Sequence, residues 1–162
     1  QDPVCAKSRT GFVITFANCP SLWVSKLQQE IALSTLHAEY IALSQSLREL
    51  LPLKDLAKEV LEGVGQNSSK LKIVTKSSVF EDNQGAIQVA TSHRMTPTSK
   101  FIAVKYHWFR QHIYKEGDTD PNKVLVIKKI DGKVNMADIF TKSVQGSNGS
   151  HFKFPRKLLC GW

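Results

Sequence analysis

Apolar and polar positions divide the first part of the chain into a hairpin and a long helical region. Residues 11–16 and 22–26 are rich in β-branched and aromatic residues, and the turn signal Asn18-Cys19-Pro20 between them predicts a β-hairpin. Ser34 is a suitable N-cap, and the apolar residues after it recur at helical spacing: Leu36, Tyr40, Leu43, Leu47 and Leu50. Pro52 is typical of a first helical position, so it predicts the start of a second helix.

The second part of the chain alternates between short strands and helices. The pattern predicts a strand near 78–81, a short helix at 83–90, a turn-rich connection at 92–99, an aromatic-rich helix at 101–114, a strand at 123–127 and a final helix capped by Asn135. Tyr106 and Trp108 cannot share one helix face, so one of them is predicted to lie in the core. We therefore expect a single α/β domain over residues 1–162, with helices packed on one mixed sheet.

Charge is distributed unevenly along the 162 residues. Residues 1–90 contain 9 Lys and Arg and 9 Asp and Glu, whereas residues 91–162 contain 13 and 5, so the whole excess of +8 lies in the second part. A basic face favours polyanions such as nucleic acid, although an ordinary basic surface is an equally good explanation of charge alone. The three cysteines include no C-x-x-C pair, which favours free thiols. No apolar run is long enough to span a membrane.

Three carboxylates lie at the edges of elements that the pattern predicts to be buried. Glu39 lies beside the apolar face of the first helix, Asp82 joins a strand to a helix, and Asp138 lies in the first turn of the final helix. Taken singly, each has a structural explanation. Glu39 is a helix-edge acid, either Asp82 or Asn83 is the N-cap of the helix that follows, and Asp138 is an acid favoured by the helix dipole. Taken together, three acids in apolar surroundings favour a shared cation, because an uncompensated buried charge is costly. The pattern therefore favours a metal-dependent hydrolase.

Other residues in the sequence do not form a second consistent candidate site. Glu81 precedes Asp82 on the same strand and is expected to point to the opposite face, so we predict that it lies outside the site. His107 and His112 are five residues apart, which is poor helical spacing for one metal, and His107 is better explained as a packed or surface residue. The chain has no glycine-rich phosphate loop.

The motifs around the three acids are more specific than the acids themselves. Together they resemble the RNase H domain of copia-type LTR-retrotransposon polyproteins, in residues 34–43 (STLHAEYIAL), 81–86 (EDNQGA) and 137–142 (ADIFTK). The resemblance continues, in unbroken order over nearly the whole chain, through residues 8–11, 23–26, 105–110 and 157–162.

The resemblance implies a ribonuclease H-like fold and hydrolysis of the RNA strand of an RNA–DNA hybrid. Family members hold two Mg²⁺ ions, with Mn²⁺ as an alternative, on four acids in the order Asp, Glu, Asp, Asp. By motif, Glu39, Asp82 and Asp138 match the second, third and fourth. The basic residues expected to contact nucleic acid are Lys100, Lys105, Arg110 and Lys142. The resemblance also implies a reverse transcriptase domain in the same polyprotein as a partner, and an intracellular location in virus-like particles.

One departure from the family pattern bears on activity. The first catalytic Asp belongs on a central strand before Ser8, and Asp2 is too near the hairpin to be that residue. We therefore expect an N-terminally truncated domain that lacks this strand, with weak or absent cleavage. Two non-catalytic alternatives stay open. One is a nucleic-acid-binding remnant that acts through its basic half, and the other is an assembly module whose open sheet accepts a strand from a partner.

Overall fold

Four strands and two α-helices form the framework of the part of the chain that the structure describes. The computed structural model describes residues 6–63, 76–92, 94, 97–141, 157 and 159. Its regular elements, in chain order, are β1 (Arg9–Phe16), β2 (Cys19–Leu27), α1 (Thr35–Gly63), β3 (Ser77–Glu81), α2 (Gln84–Thr91) and β4 (Leu125–Lys129). Short 3-10 helices lie between α2 and β4 and again after β4. This content confirms the α/β class. No helix in the described ranges is long and apolar enough to cross a membrane.

The predicted hairpin is present, with its turn one residue earlier than expected. β1 and β2 pair in antiparallel fashion, and Phe16 lies opposite Cys19, which leaves a two-residue turn of Ala17 and Asn18. Both turn residues have positive φ, 50° and 63°. Positive φ at both central positions matches the right-handed twist of the strands, as in type I′ hairpins.

Helix α1 begins where the sequence predicts and continues further. The Ser34 hydroxyl accepts a hydrogen bond from the His37 N–H at 3.1 Å, which confirms the N-cap. The predicted second helix at Pro52 is wrong, because α1 runs unbroken through this residue. Proline has a helical φ and removes only the N–H that would bond the carbonyl of Arg48. Both residues are exposed, so water can satisfy that carbonyl.

Strands β3 and β4 are parallel, with Glu81 opposite Lys129, and α2 lies in the connection between them. Asn83 caps α2 by accepting a hydrogen bond from the Ala86 N–H at 3.1 Å. The predicted single mixed sheet is not observed in the described residues, which form two separate two-stranded sheets, β1–β2 and β3–β4. A sheet is continuous only where neighbouring strands exchange backbone hydrogen bonds, and β1 and β3 are not hydrogen-bonded neighbours.

The core joins α1 and α2 to the segment that precedes β4. Its buried members are Tyr40, Ile41, Leu43, Leu47, Val89, Ala90, Ile102, Tyr106, Phe109, Ile113 and Leu125. Tyr106 is buried and Trp108 half-buried, as the prediction for this pair required. The predicted helix at 101–114 is wrong, because this segment forms two 3-10 helices, Val104–Tyr106 and Trp108–His112.

Two physical effects explain that difference. The segment is rich in aromatic and β-branched residues, which have modest helix propensity. Long-range hydrogen bonds also fix its side chains, since Trp108 Nε1 donates to the Ser44 hydroxyl at 3.0 Å and Arg110 Nε donates to the Tyr40 hydroxyl at 3.0 Å. The position of the segment is therefore fixed by these contacts with α1, and not by a regular series of backbone hydrogen bonds as in an α-helix.

Candidate functional site

The candidate site lies where β3 ends and α2 begins, and Glu81 is its most buried acid. The Glu81 side chain is 8% exposed, and its Oε1 accepts a hydrogen bond from the Asn83 N–H at 2.9 Å. Glu39 on α1 and Asp82 are both half-buried, and both interact electrostatically with Glu81. Two of the three predicted acids therefore belong to one cluster around a residue that the sequence prediction left out.

The pKa of Glu81 is raised from 4.5 to about 8. Burial is the main cause, because it disfavours the charged form. The hydrogen bond from Asn83 opposes the rise, whereas the negative charges of Glu39 and Asp82 add to it. A hydrogen bond between the Glu81 and Asp82 carboxyls also favours the protonated form of Glu81. The carboxyl groups of Glu39, Glu81 and Asp82 therefore interact electrostatically at this point of the fold.

A signal for Glu81 was present in the sequence. Strand residues two apart share a face, and Val79 and Glu81 are both on the inward face of β3, whereas Ser78 and Phe80 are exposed. The prediction instead placed Asp82 on the inward face. β3 ends at Glu81, so Asp82 lies after the strand. The alternation of inward and outward side chains along β3 therefore does not apply to Asp82.

Asp82 is held by the end of β4 and by the loop that follows it. Its Oδ2 accepts a hydrogen bond from Asn135 Nδ2 at 3.4 Å, and its backbone carbonyl accepts one from the Lys129 ammonium. Gly132 keeps this loop close, because a Cβ there would lie 3.2 Å from Asp82 Oδ2. A side chain at position 132 would therefore press on the carboxylate.

Asn135 also connects Asp82 to Asp138. Its Oδ1 accepts a hydrogen bond from the Ala137 N–H at 3.1 Å, which caps the 3-10 helix Met136–Phe140 that carries the half-buried Asp138. The predicted cap is therefore confirmed, although the element is a 3-10 helix of five residues. The Asn135 side chain thus donates a hydrogen bond to Asp82 and caps the 3-10 helix that carries Asp138.

The turn with Asp138 packs against β1 at Gly11. A Cβ at Gly11 would lie 2.5 Å from Thr141 Cγ2 and 2.9 Å from Phe140 Cβ. Ser25, which is opposite Gly11 in the hairpin, donates a hydrogen bond from its hydroxyl to the Phe140 carbonyl at 2.6 Å. The hairpin therefore sets the position of Asp138 through a close backbone approach that only glycine allows.

We expect Gly11→Ala to lower the free energy of unfolding by about 1–3 kcal/mol, since the new methyl group must displace the Phe140 backbone. Urea denaturation measures this change. Gly63→Ala is the matched control, because nothing lies within 4 Å of a Cβ at that position and alanine favours a helix. Equal stability of the Gly11→Ala variant and the wild type would contradict the close packing of this turn.

The side chains fit Mg²⁺ in their chemistry, since this hard cation prefers carboxylate and amide oxygens. The distances between the side chains do not make a complete metal site. In the described part of the chain, no group of three or more His, Cys, Asp or Glu side chains is close enough to hold a metal ion. Glu39, Asp82 and Asp138 are thus linked through Glu81 and Asn135 without forming a closed ligand set.

The basic residues predicted to contact nucleic acid have different surroundings. Lys100 is exposed, and Lys105 is exposed and forms an ion pair with Glu30. Arg110 is half-buried and bonds to α1 and α2 as well as bordering a surface cavity. Lys142 lies outside the described residues.

His107 is a packed residue, as predicted. Its Nδ1 lies 2.8 Å from the Tyr40 hydroxyl, and the two rings are in contact at a centroid distance of 5.2 Å. Burial lowers the pKa of His107, and the nearby Arg110 charge lowers it further. A neutral histidine in this position serves the core.

Comparison with known proteins shows that the chain is similar to part of a transposon polyprotein. Over 138 residues, or 85% of this chain, it is 36% identical to the retrovirus-related Pol polyprotein from transposon TNT 1-94 of Nicotiana tabacum. The match spans 9% of that relative's length. No protein-family model matches the chain, and no solved structure is significantly similar to it. The similarity therefore relates this chain to one segment of a Pol polyprotein.

Proposed function

From this similarity to a segment of a transposon Pol polyprotein, we propose that the chain is a copia-type ribonuclease H domain with a ribonuclease H-like fold. Its reaction is hydrolysis of the RNA strand of an RNA–DNA hybrid. The observation that carries the proposal is the cluster of the Glu39, Glu81 and Asp82 carboxyl groups, which Asn135 connects to the turn of Asp138. The motifs that resemble the family include all four of these acids.

In this proposal Glu39, Asp82 and Asp138 hold Mg²⁺. The bound ions would supply activation of the attacking water and stabilisation of the leaving oxygen. Asn135 orients the Asp82 carboxylate by hydrogen bonding, and Gly132 allows the loop to approach it. Glu81 is a positioning residue, because it contacts Asp82 from inside the protein.

The proposal that the chain binds a nucleic-acid hybrid rests on its positive charge. The excess of +8 lies in residues 91–162, which include the exposed Lys100 and Lys105. Lysine side chains can contact phosphates without reading base sequence. A hybrid would be recognised by its shape and by the 2′-hydroxyls of its RNA strand. A reverse transcriptase domain of the same polyprotein is the proposed source of this hybrid.

The test is cleavage of a labelled RNA–DNA hybrid in Mg²⁺, in Mn²⁺ and in EDTA. Duplex DNA and single-stranded RNA of the same sequence are the controls. The chain is assayed as given and with the residues that its reading frame encodes upstream, because the family pattern includes a further Asp there. We expect metal-dependent cleavage of the RNA strand in the hybrid alone, strongest in the extended form. The proposal is overturned if neither form cleaves the hybrid, or if all substrates are cleaved equally.

A strand-accepting module is the second candidate, and the sheet topology favours it. Among the described strands, β1 pairs only with β2 and β3 only with β4, so each has one edge without a partner strand. Such an edge can bind an extended segment through backbone hydrogen bonds. The same assay discriminates, since a module of this kind would associate with a strand donor and stay inactive on the hybrid.

A further inference from the structure

We infer that three lysines at the end of β4 and in the turn after it contact the phosphate backbone of a nucleic acid next to the carboxylate cluster. They are Lys128, Lys129 and Lys133, and all three are exposed. The inference rests on the proposed function and adds to it the groups that hold the substrate beside the acids. None of the three is among the basic residues that the sequence predicted to contact nucleic acid. We call them the lysine rim.

The lysine rim lies against Asp82. Lys129 is opposite Glu81 in the β3–β4 pair, and its ammonium donates a hydrogen bond to the Asp82 carbonyl. Gly132, which directly precedes Lys133, approaches the same residue, since a Cβ at Gly132 would lie 3.2 Å from Asp82 Oδ2. The end of β4 and the turn after it therefore both bring a lysine to one acid of the cluster.

The ammonium groups of the rim have N–H donors that the protein itself does not use. Lys128 and Lys133 form no side-chain hydrogen bond or ion pair with another residue in the ranges that the structure describes. The Lys129 ammonium donates to Asp82, and a lysine has three N–H donors. The backbone of Lys133 is fixed, because its N–H donates to Asp131 Oδ1 at 2.9 Å. Most N–H donors of the rim are therefore available to phosphate oxygens.

Acids and cations are separated at this end of the β3–β4 sheet. Glu81 is 8% exposed, whereas the three lysines are exposed. Residues 128–133 contain these three lysines and one acid, Asp131, so the segment has a net charge of +2. The carboxylates of the cluster repel an approaching phosphate, and exposed cations beside them offset that repulsion. The arrangement therefore favours an anion at the surface next to the acids.

The directions of the lysines favour a chain of phosphates over a single phosphate ion. Lys128 and Lys129 are neighbours on a strand, so their side chains leave opposite faces of the sheet. Lys133 lies in the turn that follows. Three ammonium groups with these origins do not converge on one small anion, whereas successive phosphates of a backbone can meet them one by one. Lysine contacts phosphate as a point charge, which suits binding without sequence preference.

The test is binding of an RNA–DNA hybrid to the full chain in EDTA, measured by fluorescence anisotropy at several salt concentrations. Each phosphate contact contributes about 0.9 to the slope of log K against log salt concentration. We therefore expect Lys128→Gln and Lys133→Gln each to lower this slope by about one and to weaken binding about five- to tenfold at about 0.1 M salt. Both variants should unfold at the wild-type temperature, because neither ammonium group has a described partner to lose.

Lys58→Gln is the matched control. Lys58 is an exposed residue of α1, about 28 Å of helix beyond Glu39, and its ion pair with Glu62 is long at 3.9 Å. The variant loses the same charge away from the rim, so its affinity and salt slope should equal those of the wild type. The inference is overturned if Lys128→Gln and Lys133→Gln bind like the wild type, or if all three variants weaken binding equally.

Cleavage kinetics separate this inference from the proposed function. Since Lys133 holds substrate and the acids stay intact, Lys133→Gln should raise KM more than it lowers kcat. If the wild type never cleaves the hybrid but the rim variants bind it more weakly, the proposed function is overturned and the rim remains a nucleic-acid contact. If the wild type cleaves and the rim variants match its affinity and KM, the rim is overturned and the proposed function stands.

Discussion

Replacing Asp82 with asparagine is expected to lower the rate of Mg²⁺-dependent hybrid cleavage by about 10³-fold. A catalytic metal contributes several kcal/mol of charge stabilisation in the transition state, and each 1.36 kcal/mol changes the rate tenfold. The fold should be retained, since asparagine keeps an oxygen that can accept the hydrogen bond from Asn135. It also removes one of the negative charges next to Glu81. Single-turnover cleavage and thermal unfolding, measured on the same samples, separate the two effects.

Asp131→Asn is the matched control for this experiment. Asp131 is exposed and caps the turn Gly132–Val134 by accepting a hydrogen bond from the Lys133 N–H at 2.9 Å, a role that asparagine can also fill. Asp131→Asn also removes one negative charge, from the loop after β4 that packs against Asp82. Wild-type cleavage by the Asp82→Asn variant, or an equal loss in both variants, would contradict a direct role for Asp82. Added Mg²⁺ should also raise the melting temperature of the wild type more than that of Asp82→Asn.

Glu81→Gln is expected to stabilise the metal-free protein at high pH and to have little effect at pH 4. The native pKa of about 8 lies above the ordinary value of 4.5. The native state therefore binds more protons than the unfolded state between these values, and stability falls as the pH rises through this window. The full difference corresponds to about 5 kcal/mol above pH 8. Glutamine is neutral at every pH, so its advantage should grow from near zero at pH 4 to a few kcal/mol at pH 8.5.

Urea denaturation in EDTA across this pH range measures the effect. Glu62→Gln is the control, because Glu62 is an exposed residue of α1 that forms only a weak ion pair with Lys58 at 3.9 Å. Its stability difference from wild type should stay within about 0.5 kcal/mol at every pH. A stability gain in Glu81→Gln that does not change with pH would mean that Glu81 is not protonated in the native state. A smaller gain in Mg²⁺ would indicate that a cation compensates the cluster.

Local signals in the sequence predicted the elements that depend on local interactions. The hairpin, the start of α1, α2 and both parallel strands follow from apolar periodicity. The caps at Ser34, Asn83 and Asn135 follow from hydrogen bonds within three residues. Periodicity failed at 101–114, where bonds from distant helices override a weak helical preference. The prediction that a second helix begins at Pro52 was wrong, because one lost hydrogen bond on an exposed face does not end a helix that neighbouring residues favour.

The sequence alone determined the α/β class, the hairpin and caps, and the three acids Glu39, Asp82 and Asp138 as candidate site residues. Only the tertiary structure showed the raised pKa of Glu81, because that pKa depends on burial and on charges from α1 and Asp82. The structure also connected Asp82 to the turn of Asp138 through Asn135. Electrostatic interactions act over distances in space, and residues far apart in sequence become neighbours only when the chain folds.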